Sequence, residues 1–189
     1  MAEYLDLAKF IRHLAIENFL AEEDGLTGDY GPNNFYLYRF ANQNLYTFLP
    51  WDKSNAFWEA PSPDYSVFRN IDNAVESHRN RLVVRALQDP ELRELYLNTL
   101  LECAASAAAV PVSAARMRAT DDTPPAGWME AEISREYDQI RLDVASDTTQ
   151  ITSTADFEQA VADMKTFARG RSDAVRRQVA ADRARRGLR

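Results

Sequence analysis

Apolar residues recur along the first part of the chain at spacings of three and four. Leu7, Phe10, Ile11, Leu14 and Phe19 form one stripe, interrupted only by Asn18. That period belongs to a helix, and the pattern predicts an amphipathic helix over residues 4–23, terminated by Gly25 and Gly28. The period then changes. Residues 34–40 (NFYLYRF) and 45–49 (LYTFL) are aromatic-rich runs on either side of the polar Ala41-Asn42-Gln43-Asn44, which reads as strand, turn, strand. Pro50 ends the second strand because it offers no N–H to a ladder. Residues 53–69 hold Pro61 and Pro63 without any period and predict a loop. Helical spacing resumes over 74–87. Asp89-Pro90-Glu91 then signals a fresh helix start, with a capping Asp, a proline in the first turn and an acid at the positive pole. That helix is expected to reach about residue 109. The polar run TDDTPPAG at 120–127 predicts a linker, and helices are expected over 129–145 and 156–184. No internal repeat is visible.

Composition places this pattern in a globular protein. The chain has 189 residues, 46% of them hydrophobic and 27% charged, with six Gly and eight Pro, which excludes collagen-like or wholly disordered chains. One domain, or one lobe, spanning 1–189 is the expectation at this length. A single cysteine, Cys103, excludes an internal disulfide and a multi-cysteine metal site. No apolar run approaches the ~20 residues that span a bilayer. The opening MAEYLDLAKF places acids where a signal peptide carries basic residues.

The net charge of −7 is unevenly distributed: residues 157–189 hold nine Lys/Arg against four Asp/Glu. An acidic body argues against nucleic acid as a partner. The basic end suits the negative pole of a helix, and residues 184–189 are expected to be a frayed basic tail.

The chain lacks G-x-G-x-x-G, a P-loop and H-E-x-x-H, so the common phosphate and zinc motifs are absent. His13 and His78 read as structural, and Cys103 in LLECAASAAA as a small buried hydrophobe. Chemistry concentrates between Glu22 and Phe57. Asp24 lies past a helix, Asp29 in a loop, Asn33-Asn34 at a strand entry and Asp52 after Pro50-Trp51. Carboxylates and a carboxamide are hard oxygen ligands suited to Mg²⁺ with substrate phosphates, and a further carboxylate could serve as base in phosphoryl transfer. Tyr46 and Trp51 offer stacking faces. The same residues are also ordinary turn formers and core aromatics.

The order of the pieces resembles the CotH-type (spore coat protein H) kinase family. That family shows a helix ending in Asp-Gly, an Asn-Tyr-Tyr-Leu-Tyr-like strand and a Pro-Trp-Asp strand end followed by Phe. Here these are Asp24-Gly25, Asn34-Phe35-Tyr36-Leu37-Tyr38 and Pro50-Trp51-Asp52, with Phe57 beyond. RLVVRALQDPELRELYLNTL and FEQAVADMKTFARGRSDAVRRQV, with Arg171, look like the family's later helices.

The resemblance implies an α-rich α+β fold, the helical C-lobe of an atypical protein-kinase-like fold, with a β-hairpin carrying the metal-binding Asp. It implies transfer of phosphate from ATP to protein Ser/Thr hydroxyls. Asp24 matches the catalytic Asp, with Asp29 as the alternative. Asp52 matches the metal-binding Asp, and Asn34 a further contact to metal or phosphate. Tyr46 is placed to face the adenine. The cofactors implied are Mg²⁺ or Mn²⁺ with ATP, and the partner implied is a protein substrate.

Two departures accompany the match. Ser54 stands where the family usually has a second Asp or Asn. The family's N-terminal lobe, with its sheet and its phosphate-holding basic residue, has no counterpart before Tyr4. The chain therefore reads as the C-terminal part of the domain, with self-association or a missing lobe expected to cover apolar surface at the hairpin. The alternatives are an inactive pseudokinase lobe and a helical protein-interaction module.

Overall fold

The computed structural model describes residues 3–72, 78–110 and 126–187. Its elements follow the order α1 (Leu7–Phe19), β1 (Phe35–Arg39), β2 (Tyr46–Pro50), α2 (Arg81–Ala86), α3 (Pro90–Ala108), α4 (Trp128–Ser146) and α5 (Thr154–Arg185). This is a helix-rich α+β chain with one two-stranded antiparallel sheet.

Helix α1 is capped by Asp6, whose side chain accepts the Lys9 amide at 2.9 Å. It ends earlier than residue 23, the end its periodicity predicts. Ala21 adopts φ 55°, and Glu22 N–H bonds to Glu17 O while Ala21 N–H bonds to Asn18 O, the paired closure of a Schellman turn. Glu22 and Glu23 thereby leave the helix and become buried. Gly25 and Gly28 do not terminate it; both permit close approach. A Cβ on Gly25 would lie 2.7 Å from Glu17 Oε2, and one on Gly28 1.7 Å from the Glu23 carbonyl.

In the hairpin, Phe35 pairs with Pro50 at one end and Arg39 with Tyr46 at the other, so Pro50 is the last strand residue. Phe48 packs on Phe10 of α1 at 4.9 Å and on Phe35 at 4.7 Å between ring centroids. Tyr36, Leu37, Tyr38 and Leu49 are exposed.

Asp89 caps α3, accepting the amides of Glu91 and Leu92, as its sequence signals. Asn80 caps α2 by accepting from Leu82 and Val83. The helical spacing over 74–87 is thus realised from residue 81; its residues 74–77 lie outside the described residues, as do residues 120–125 of the linker.

The chain divides into two compact units. The first comprises Met1–Trp58, Tyr65–Cys103 and Val175–Arg189; the second Glu59–Asp64 and Ala104–Ala174. The first unit buries Phe10, Ile11, Leu14, Val67, Tyr96, Leu97, Leu100 and Val179. Asn18, the break in the apolar stripe, is buried and satisfied: its Nδ2 donates to Tyr96 Oη and its Oδ1 accepts from Thr27 Oγ1, both at 2.9 Å. The basic C-terminal end is fastened within this unit, Arg185 pairing with Asp72 and Asp182 and Arg183 with Glu94.

The second unit buries Met129, Val161, Phe167 and Ala174. Arg171 is fully buried there, donating to the Pro63 carbonyl at 2.6 Å. Among the described residues, no helix is long and apolar enough to cross a membrane.

Candidate active site

The end of α1, the loop after it and the open end of the hairpin meet in the first unit. Residues 55–58 run beside residues 20–23: Glu23 N–H bonds to Asn55 O at 3.2 Å, Phe57 N–H to Leu20 O at 2.8 Å and Trp58 N–H to Ala21 O at 3.2 Å. These bonds hold the segment after Asp52 against the segment before Asp24.

Asn34 connects them further. Its Nδ2 donates to Asp24 Oδ2 at 2.9 Å and to the Asp24 main-chain carbonyl at 3.0 Å. Its own carbonyl accepts Trp51 N–H at 3.0 Å and Lys53 Nζ at 3.1 Å, the residues on either side of Asp52. Asn33 Nδ2 donates to the other Asp24 oxygen at 3.0 Å. Both carboxylate oxygens of Asp24 thus accept neutral amide N–H groups. Asp52 is exposed, and its carboxylate accepts the Ser54 amide at 3.3 Å.

Asn34, Asp52 and Phe57 have φ of 55°, 37° and 62°. Left-handed backbone costs of order 1–3 kcal/mol per residue and concentrates where geometry serves chemistry. Asn and Asp tolerate it best, which accounts for the residue types at two of these positions.

Beneath the loop lies a buried acidic pair of opposite character. Burial pushes Glu17 upward, but hydrogen bonds from His13 and Lys53 and the Leu26 amide outweigh it and hold the carboxyl below its ordinary range. Lys53 Nζ lies 2.5 Å and His13 Nε2 2.8 Å from Glu17 Oε1, while Leu26 N–H bonds to Oε2 at 2.9 Å. Among the described residues Glu22 has no such cation in contact. Burial raises its carboxyl, the Asp24 amide on Oε1 offsets this in part, and Oε2 accepts no hydrogen bond among the described residues.

Asp29, the alternative base, belongs to a separate cluster. It accepts Asn70 Nδ2 at 2.8 Å and Arg69 Nη2 at 2.6 Å, and His78 Nδ1 lies 3.6 Å away. The Asn70 hydrogen bond and the Arg69 guanidinium hold its carboxyl below the usual range. Arg69 also pairs with Glu23, whose other oxygen accepts the Tyr65 hydroxyl at 2.8 Å.

Tyr46 stands at the turn end of the hairpin, with its main chain bonded to Tyr4 and Asp6 and Arg39 over its ring. It lies four residue steps from Pro50 along β2, about 14 Å of extended chain, so the fold does not bring it to the Asp24–Asn34–Asp52 end. Trp51 does stand at that end, edge-on to Tyr36 with centroids 5.1 Å apart.

A family model described as CotH kinase protein matches residues 1–175. The chain belongs to the CotH kinase family. No curated protein matches it.

The CotH kinase assignment gives the donor set a chemical context. Asn34 spends its amide nitrogen on Asp24 and keeps its carboxamide oxygen for another donor or a cation. Asp52 presents an exposed carboxylate. Among the described residues no cluster of three or more His, Cys, Asp or Glu forms a protein-only cage. A carboxylate and a carboxamide are the kinds of oxygen donor that suit a Mg²⁺-type ion completing its shell with water and phosphate.

Sequence reasoning singled out Asp24, Asn34 and Asp52, with Asn33 beside them, but not Glu17 or Lys53. Glu17 carried a faint signal: a carboxylate next to Asn18, at the point where the apolar stripe breaks.

Proposed function

We propose that the chain carries the catalytic residues of an ATP-dependent protein kinase of the CotH type, transferring a phosphoryl group to a Ser or Thr hydroxyl. One observation supports this above the others. The Asn34 amide grips both the carboxylate and the carbonyl of Asp24, while the Asn34 carbonyl receives N–H bonds from both neighbours of Asp52. In protein kinases the same division of labour falls to a catalytic-loop Asp, its Asn and a metal-holding Asp.

In this reading Asp24 orients the acceptor hydroxyl and takes its proton at a carboxylate oxygen as the new P–O bond forms and the bond from the γ-phosphorus to the β,γ-bridging oxygen breaks, with ADP leaving. Asn33 and Asn34 fix the orientation of that carboxylate, one neutral amide donor on each oxygen. Asp29 is engaged by Asn70 and Arg69, which hold its carboxyl below the usual range, and this suits it poorly to take a proton. Asn34 Oδ1 and the Asp52 carboxylate would hold Mg²⁺ or Mn²⁺, which when bound neutralises the ATP phosphates. Adenine stacking is assigned to the Tyr36–Trp51 face rather than to Tyr46, which lies at the far end of the hairpin.

A second reading is a nucleotide-binding lobe without transfer. It is favoured by Ser54, a neutral residue where the family usually offers a second acid or amide.

The test is phosphate incorporation from γ-labelled ATP into a Ser/Thr peptide library, with Mg²⁺ and with Mn²⁺. Incorporation that disappears in Asp24→Asn and in Asp52→Asn supports transfer. Calorimetric binding of Mg-ATP without incorporation supports the second reading, and absence of both contradicts the two together.

A further inference from the structure

Lys53 occupies a position that no part of the proposed chemistry uses. It directly follows Asp52, its side chain is about one-quarter exposed, and its ammonium bridges two elements. One N–H reaches Glu17 Oε1 at 2.5 Å on α1, and another reaches the Asn34 carbonyl at 3.1 Å where the chain enters β1. Glu17 is buried at 4% side-chain exposure, and its second oxygen accepts the Leu26 amide, two residues beyond Asp24. A single cation therefore ties together the helix that precedes Asp24, the loop that carries it and the backbone of the residue that holds its carboxylate.

From this geometry we infer that Lys53 is a positioning residue: with Glu17 it forms a strut that fixes Asp52 relative to Asp24 and Asn34. The inference rests on the kinase reading given above.

Asp52 adopts φ 37° and Asn34 φ 55°, conformations that surrounding contacts must enforce. Trp51 N–H on the Asn34 carbonyl restrains one side of Asp52, and the Lys53 ammonium on the same carbonyl restrains the other. Anchoring that ammonium on a buried carboxylate makes the restraint stiff, because Glu17 cannot turn away into water without breaking its bonds to His13 and Leu26. Displacing a reacting group by about 1 Å costs on the order of 10²-fold in rate.

A purely structural role makes a different prediction. If Lys53 serves only to neutralise buried Glu17, removing both charges together restores stability and activity alike. If Lys53 positions Asp52, the double change restores stability and leaves the rate low.

The experiment compares the unsubstituted chain with Lys53→Met, with Glu17→Gln and with the double variant Glu17→Gln/Lys53→Met. It measures melting temperature, the dissociation constant of Mg-ATP and kcat for labelling the Ser/Thr peptide library. Lys53→Met is expected to melt early, since it strands the Glu17 charge; the double variant guards against that loss. The strut predicts a double variant that melts near the unsubstituted chain and binds Mg-ATP within about threefold, with kcat down about 10²-fold. A double variant with unchanged kcat overturns the strut and leaves the kinase reading standing. Weaker Mg-ATP binding at unchanged kcat overturns it too, by making Lys53 a phosphate contact. An unsubstituted chain that labels no peptide overturns the kinase reading itself, and the strut's catalytic role falls with it.

Discussion

Replacing Asn34 by Asp changes almost no volume and reverses the chemistry at the junction of the site. The Asn34 amide donates two bonds to Asp24, at 2.9 and 3.0 Å. An aspartate there donates none when ionised and sets a second negative charge about 3 Å from the first. Loss of a hydrogen bond to a charged group costs about 1.5–3 kcal/mol. Two unit charges at that distance repel by about 5 kcal/mol at an effective dielectric of ~20. Both side chains are only half-buried, so rotation, solvent and proton uptake relieve much of the repulsion. A net loss of about 2–3 kcal/mol at pH 7 remains, which lowers the melting temperature of a chain this size by about 4–10 °C. Two controls follow. Protonating the new carboxyl at about pH 4 restores a donor and narrows the gap. Millimolar Mg²⁺ or Mn²⁺, placed between the carboxylates, raises the melting temperature of Asn34→Asp more than that of the unsubstituted chain. Thermal unfolding followed by circular dichroism across pH, with and without the metals, reads all three effects. An Asn34→Asp chain melting within 1 °C of its parent at pH 7 would refute the claim that Asn34 and Asp24 are energetically joined.

Two further predictions use the surrounding carboxylates. Burial raises the Glu22 carboxyl above its ordinary value of 4.5, so its favourable contribution to folding is present below that pH and is lost as pH rises through the raised value. Glu22→Gln keeps an acceptor for the Asp24 amide and cannot ionise; its stability advantage over the parent is expected to widen from pH 4.5 towards 7, and parallel melting curves would count against the assignment. Asp29→Asn weakens the pairs to Arg69 and His78 and is expected to cost about 1 kcal/mol in urea unfolding while peptide labelling stays within a few-fold. Asp24→Asn is expected to abolish labelling, and the opposite pattern would exchange the two roles.

The fold was largely legible because its elements obey local rules. The stripe from Leu7 to Phe19 specified α1, and Asp89-Pro90 placed the start of α3 at the residue where it begins. Alternating aromatics around Ala41–Asn44 specified the hairpin. The end of α1 was not legible, since it depends on an alanine taking a left-handed conformation, which residue preference disfavours. Asn18 read as a flaw in an apolar face. It proved to be a buried polar residue whose partners, Tyr96 and Thr27, lie 78 and 9 residues away.

The site divides along the same line. Asp24, Asn34 and Asp52 stood out because their order resembles a family. Glu17 and Lys53 could not stand out, because a lysine 36 residues from a glutamate carries no local signature of an ion pair. Tyr46 was singled out for its aromatic ring and its place before Pro-Trp-Asp, yet strand length alone carries it away from the carboxylates.

The most direct test of the central claim is the position of a bound metal. Crystals grown with Mn²⁺ and a non-hydrolysable ATP analogue allow the ion to be located by its anomalous scattering. The account predicts a peak at coordination distance, about 2.0–2.4 Å, from the Asp52 carboxylate and Asn34 Oδ1, with the terminal phosphate turned towards Asp24. A nucleotide-bound peak held by neither Asp52 nor Asn34 would contradict it.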